Sequence, residues 1–211
     1  MNVDALWEIS LRTPRLELRL PTDDELEELY RVAERGIHPP DEMPFAVAWT
    51  DDLQHDPFVD FHRAAWREWS PDRWDCRFVT FSEDRVIGMQ DVGAVEFAGR
   101  REVGTGSWLG REFQRQGFGT EQRAAILEFA FRGLGAEAAL SGALIGNVAS
   151  QRISENLGYR RTGMREIAPR GEPVPHYDYR IERSEWRCPV EVEMVGVEPA
   201  LPLFGADPRS G

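Results

Sequence analysis

The stretch WLGREFQRQGFGTEQRAAILEFAF, residues 108–131, constrains the fold more than any other part of the chain. It runs from a strand-like apolar end, through the closely spaced Gly117 and Gly119, into a segment whose apolar residues cover most of a helix surface. The pattern predicts a buried helix that begins near Phe118 or Gly119 and stops at Gly133, entered from a strand. Such a helix start offers unpaired backbone N–H groups and the positive end of the helix dipole, an arrangement suited to an anion. Glycine there lets the backbone approach a ligand closely. A lone G-x-G is weak, since glycine before a helix is often only a turn, so the context has to carry the reading.

The surrounding segments read as one α/β (α+β) domain over residues 8–188, with a C-terminal extension over 189–211. SLRTPRLELRLP, residues 10–21, alternates apolar and polar from Leu16 to Leu20 and predicts a half-buried strand. TDDELEELYRVAERG follows as a helix, with Thr22 as N-cap, Glu25 in the capping-box position and Gly36 as the stop. Residues 39–75 are irregular, rich in proline and in tryptophan (Trp49, Trp66, Trp69, Trp74), with a short helix at roughly 57–70. CRFVTFS, RVIGMQDVGAVEF and EVGTGSWLG predict an antiparallel meander whose first hairpin turns at Ser82-Glu83-Asp84. AALSGALIG reads as a buried strand, NVASQRISENLG as a short helix stopped by Gly158, and YRRTGMREI and HYDYRIERSEW as two final strands.

Charge and composition exclude several partners. The net charge of -12 is concentrated in the first 75 residues, and the basic residues are all arginine, without the clustered footprint that a nucleic acid requires. No apolar run approaches the ~20 residues needed to span a bilayer. The start lacks a secretory pattern, and Cys76 and Cys188 cannot make a disulfide framework. His38, His55, His62 and His176 have no metal-ligand spacing. The expectation is a cytoplasmic protein with no metal, no nucleic acid and no membrane partner.

Context for the glycine turn comes from its spacing. Gln114-x-x-Gly117-x-Gly119 lies between a strand and a helix, and Asn147-x-x-Ser150 later opens a second short helix that ends in NLGYRRTGM. This combination resembles the GNAT superfamily of acyl-CoA-dependent N-acyltransferases, over about residues 13–186. TPRLELRLPTDDE, GTEQRAAILEFAF and the closing Y-x-I-x-R-x-E-W are similar to the branch containing ribosomal-protein alanine acetyltransferases. MPFAVAWT, SWLG and PLFG are similar to an actinobacterial member described as a succinyltransferase.

The resemblance implies a mostly antiparallel twisted sheet flanked by helices, with a splayed central strand pair. It implies that coenzyme A lies on Gln114, Arg115, Gln116, Gly117, Phe118, Gly119 and Thr120, its pyrophosphate held by backbone N–H groups from Arg115 to Thr120. Trp108, Leu109 and Gly110 would pair with the pantetheine arm, and a backbone N–H near Leu109 would stabilise the oxyanion. Asn147 would bond the pantetheine, cap the next helix, or both. Ser154 stands where many relatives have a thiolate-protonating tyrosine; Ser150 stands where the ribosomal branch has a serine, so Ser150 is the catalytic candidate, with a capping hydroxyl as the plainer reading.

The base stays open among Asp91, Glu96, Glu166, Glu172, His176 and a water chain. Arg111 and Arg123 would help a phosphate or simply be solvated. The implied reaction transfers an acyl group from acetyl-CoA or succinyl-CoA to a primary amine, of a small molecule or a protein N-terminus. A succinyl carboxylate would need an arginine, with Arg63, Arg67, Arg73, Arg85, Arg100 and Arg101 available. The tryptophans form an acceptor wall or local core. A non-catalytic acyl-CoA sensor is the alternative, and a homodimer is compatible with the family.

Overall fold

The computed structural model describes residues 2–206. In chain order its elements are β1 (Ser10–Arg12), β2 (Glu17–Arg19), α1 (Asp23–Glu34), α2 (His55–Arg67), β3 (Arg73–Ser82), β4 (Arg85–Val95) and α3 (Phe97–Arg100). There follow β5 (Glu102–Leu109), α4 (Phe118–Glu128), β6 (Ala138–Leu144), α5 (Val148–Asn156), β7 (Arg160–Ile167), β8 (Val174–Glu182), β9 (Glu193–Val195) and α6 (Val197–Ala200). The nine strands make one sheet in the order β7-β8-β6-β5-β4-β3-β2-β1-β9. Every neighbouring pair is antiparallel except β5 with β6. No helix among the described residues is long and apolar enough to cross a membrane.

Local chemistry explains the boundaries. Both halves of the capping box close at α1, where the Thr22 hydroxyl accepts from the Glu25 N–H and the Glu25 carboxylate accepts from the Thr22 N–H at 2.8 Å. The β3–β4 hairpin turns on Glu83 and Asp84, both left-handed at φ 49° and 60°, the twist that a two-residue hairpin loop needs. α4 starts at Phe118 and passes at Phe129 into one π-helical turn ending at Gly133.

Alternating strand residues fill two cores. Leu11, Leu18, Phe78, Ile126 and Phe129 pack between the sheet and α4, while Leu29, Val32, Phe58, Val79 and Trp108 pack under α1 and α2.

Two expectations change. Residues 10–21 form two strands rather than one, because Pro14 and Arg15 turn the chain back and the Thr13 N–H closes on the Leu16 carbonyl at 2.9 Å. The segment read as an extension adds β9 to the sheet edge and buries Leu201, Phe204 and Ala206 in the α4-side core. The indoles of Trp69 and Trp74 donate to the Leu203 and Phe204 carbonyls at 2.8 and 3.0 Å. Trp69 and Trp74 are therefore core residues. Residues 207–211 of that extension lie outside the described residues.

One irregularity positions everything that follows. β5 and β6 pair only from Glu102 to Gly104 against Ala138 to Leu140, and beyond that point the two strands part.

Candidate active site

At the end of β5 the chain turns into α4, and the turn is braced from within. The Gln114 side chain donates to the carbonyls of Ile37 and Leu109 at 2.7 and 2.8 Å, so its amide holds the loop's shape. Arg115 and Gly117 are left-handed, at φ 61° and 86°. The Thr120 N–H is used by the Gly117 carbonyl, whereas the N–H groups of Arg115, Gln116, Gly117, Phe118 and Gly119 meet no protein acceptor among the described residues. That leaves five donors at a helix start, a ready anion cradle.

Gly119 also has a packing reason, since a Cβ there would sit 3.0 Å from Ile153 of α5. Arg15, which sequence reasoning missed, reaches this turn from the β1–β2 loop. Its guanidinium bonds Glu121 at 2.7 Å and the Gln116 carbonyl at 2.9 Å, and stands 4.7 Å over the Phe118 ring. Nothing in local spacing connects positions 15 and 121.

The opened strands expose backbone. The bond from the Gly110 N–H to the Ile87 carbonyl fixes the phase of the β4–β5 ladder, in which successive residues point alternately to either neighbour. By that alternation Ser107 and Leu109 turn their N–H groups toward β6, where the partner strand has withdrawn. Trp108 turns its backbone to β4 instead, and its ring is buried 5.8 Å from Trp49. Leu109, rather than Trp108, presents a donor to the gap, while its carbonyl is taken by Gln114.

Each face of the gap carries a different chemistry. On the α4 face Arg123 is 3% exposed and bridges the parted strands, donating to Ser107 Oγ at 2.8 Å on β5 and to Ser141 Oγ at 3.0 Å on β6. A third bond goes to Gln90 Oε1 at 3.3 Å. It is neither solvated nor beside the phosphate cradle, and all three of its acceptors are neutral.

On the opposite face half-buried Asp91 accepts from the Gly106 N–H, and burial together with the nearby Asp75 carboxylate pushes its carboxyl up to about 6. Across the gap His176 lies over Gly142, where a Cβ would meet its ring at 2.2 Å, and its Nδ1 is 3.2 Å from Asp178 Oδ1. The strand registers place Gly106 and Gly142 at the same level. Asp91 and His176 thus flank the opening.

At the start of α5 the Asn147 side chain is committed to the protein. Its Oδ1 caps the Ser150 N–H at 3.0 Å and its Nδ2 donates to the Pro44 carbonyl at 3.1 Å. Ser150 is in the first turn of α5, and Ser154 is fully buried with its hydroxyl unpartnered. Glu96, Glu166 and Glu172 are exposed, and Glu96 faces Arg100 at 3.7 Å.

Known proteins share this architecture. The model of the acetyltransferase (GNAT) domain matches residues 15–160. A Vibrio cholerae structure described as a ribosomal-protein-serine acetyltransferase superposes with a TM-score of 0.65 at 23% identity, covering 86% of this chain and 99% of that one. Mycobacterium smegmatis RimJ in complex with CoA-disulfide gives 0.70 at 17% identity, covering 86% and 90%. A GNAT-family acetyltransferase from Bacillus anthracis gives 0.67 at 16% identity, covering 83% and 99%. At such identities the likeness is one of fold.

Proposed function

Because the chain belongs to the GNAT acetyltransferase domain family, we propose that it transfers an acyl group from an acyl-CoA to a primary amine at the gap between β5 and β6. The observation that carries this reading is the parting of those strands directly before a turn with five free N–H groups. The turn fits a pyrophosphate, and the N–H groups of Ser107 and Leu109 fit a peptide-like arm and a developing oxyanion. Asp91 accepts the proton of the incoming ammonium, directly or through a water, and Ser150 returns one to the leaving thiolate. Proteins of similar fold named for ribosomal-protein acetylation make a protein N-terminus one acceptor class and small amines the other.

The proton acceptor must be ionised to work, so turnover rises with pH through about 6 and then levels. Free-thiol release from acetyl-CoA with a panel of amines measures this. Asp91→Asn should cut the rate by about 100-fold and remove the rising limb. Tight CoA binding with no thiol release for any amine would instead make the protein a sensor.

A second reading concerns the donor, and Arg123 favours it. An acetyl methyl needs a small apolar recess, yet the α4 side of the gap holds a buried guanidinium with Ser107, Ser141 and Gln90 around it. A succinyl carboxylate would give that cation a charged hydrogen-bond acceptor, which Ser107, Ser141 and Gln90 are not. Arginines on the protein's outer surface, among them Arg67 and Arg100, would then be dispensable. Competition of succinyl-CoA with acetyl-CoA decides it: succinyl-CoA that neither transfers nor outcompetes free CoA rules the succinyl donor out.

A further inference from the structure

Arg77 and Asp75 line the upper end of a cavity of about 610 Å³ that lies under α2, and Asp91, the β4 partner of Arg77, lies just beyond that lining on the same face of the sheet. Its floor is Gly93 and Gly104, and its walls are Phe61, Ala64 and Ala65 on one side and Leu140 on the other. Gly104 is the telling residue. A Cβ at Gly106 would collide with Asp91 at 2.8 Å and one at Gly142 with His176, but one at Gly104 would meet nothing nearer than the Gly93 carbonyl at 3.9 Å. No neighbour demands glycine there, although glycine inside a strand weakens it and marks a place where something else approaches closely. The apolar walls face water, with Phe61 55% and Leu140 37% exposed.

The other approach to the gap is strapped. Asn147 holds the Pro44 carbonyl, and Arg170 grips Asp51 through two bonds of 2.8 and 2.7 Å and the Pro40 carbonyl at 3.2 Å. These contacts tie residues 40–51 across the start of α5 and the β7–β8 loop.

We infer that the acceptor enters through the crevice under α2, and that it is a primary amine on an apolar arm, its nitrogen directed to Asp91 and its arm laid over Gly104 between Phe61 and Leu140. This rests on the acyl-transfer reading above. The charges agree with it. Arg77 is neutralised by Asp75 at 2.7 Å and Glu102 by Arg180 at 2.6 Å, which leaves the Asp91 carboxylate as the group that meets a cation at the upper end. Arg73 and Arg100 lie at the far end, about four residues and hence roughly 13 Å down the strands from Asp91. A carboxylate directly beside the amine would face Asp91 while Arg77 is already held by Asp75, so simple amines are preferred over α-amino acids.

The test is kcat/KM by thiol release for straight-chain amines from ethylamine to octylamine, with acetyl-CoA as donor or succinyl-CoA should only that transfer. It should climb about three- to fourfold per methylene until the crevice is full. Gly104→Leu fills the floor and should raise KM for hexylamine at least about tenfold while leaving CoA affinity unchanged. Phe61→Ser, at a helix position whose ring carries the Arg77 guanidinium at 3.6 Å, should flatten the chain-length dependence, which guards against a misfolded Gly104→Leu. Rates in the native protein that ignore chain length, or a hexylamine KM that responds to Asp51→Ala and to neither crevice variant, overturn the proposal. Transfer to no amine at all overturns the acyl-transfer reading itself, and the crevice with it.

Discussion

The β3–β4 pair and the β5–β6 pair sit side by side in one sheet and are built on opposite rules. β3 and β4 pair from end to end with one bulge near Thr80, and apolar side chains cover both faces except where Asp75, Arg77 and Asp91 meet the crevice. The buried polar groups there answer one another, as Thr80 donates to Gln122 at 2.9 Å. β5 and β6 pair over three residues and open, and the groups around the opening are a buried cation whose hydrogen-bond acceptors are neutral and a carboxylate pushed toward neutrality. Burying such groups opposes folding. The contrast teaches that stability resides in the closed pair, while the open pair keeps charged groups poised for a bound partner.

That contrast can be broken from either side. The largest expected effect is in the closed half: Trp74→Ala removes a 3%-exposed ring packed on Trp69, Phe97 and Phe204. It should lower the unfolding free energy by about 3–5 kcal/mol in denaturant titration. CoA affinity, read by calorimetry, should not change. Gly117→Asp is its mirror image. An aspartate tolerates the left-handed backbone better than most residues and would stand beside Arg15, filling the anion cradle. CoA should bind at least about 100-fold more weakly, roughly 2.7 kcal/mol, with the fold kept.

The smallest effect has the most informative sign. A folded pKa of about 6 lies above the unfolded aspartate value of about 4, so the Asp91 contribution to stability is fully present below pH ~4 and lost as pH rises through about 6. Asp91→Asn should therefore stabilise the protein at pH 7 by about 1–2 kcal/mol, solvent in the crevice trimming the full value, with the gain vanishing near pH 4. A variant that is less active and more stable would sharpen the comparison; one that is less stable would break it.

Legibility in the sequence follows the same division. The α1 cap, the Glu83-Asp84 hairpin and the start of α4 were readable because each is decided within a few residues. The β1–β2 reversal was hidden because Pro14 interrupts an alternation that continues on both sides. β9 and the buried Phe204 were hidden because their partners, β1 and the Trp69–Trp74 pair, lie far away in the chain.

In the site, the glycine turn could be reached from spacing, and Leu109 only from the family resemblance. Arg123 could not, since an arginine in an otherwise apolar helix looks the same whether solvated or buried, and only Ser107 and Ser141 on two different strands reveal its place. Asp91 was one carboxylate among several until its neighbours Gly106 and Asp75 set it apart.

The central claim, that the parted backbone of β5 is where the acyl-CoA arm pairs, is tested most directly by residue-resolved amide hydrogen exchange with and without CoA. The Ser107 and Leu109 amides should exchange quickly in the free protein and become strongly protected when CoA is added, together with those of Arg115 to Gly119, while the β3–β4 amides remain slow throughout. CoA binding that protects the turn but leaves Ser107 and Leu109 exchanging as before would contradict the account.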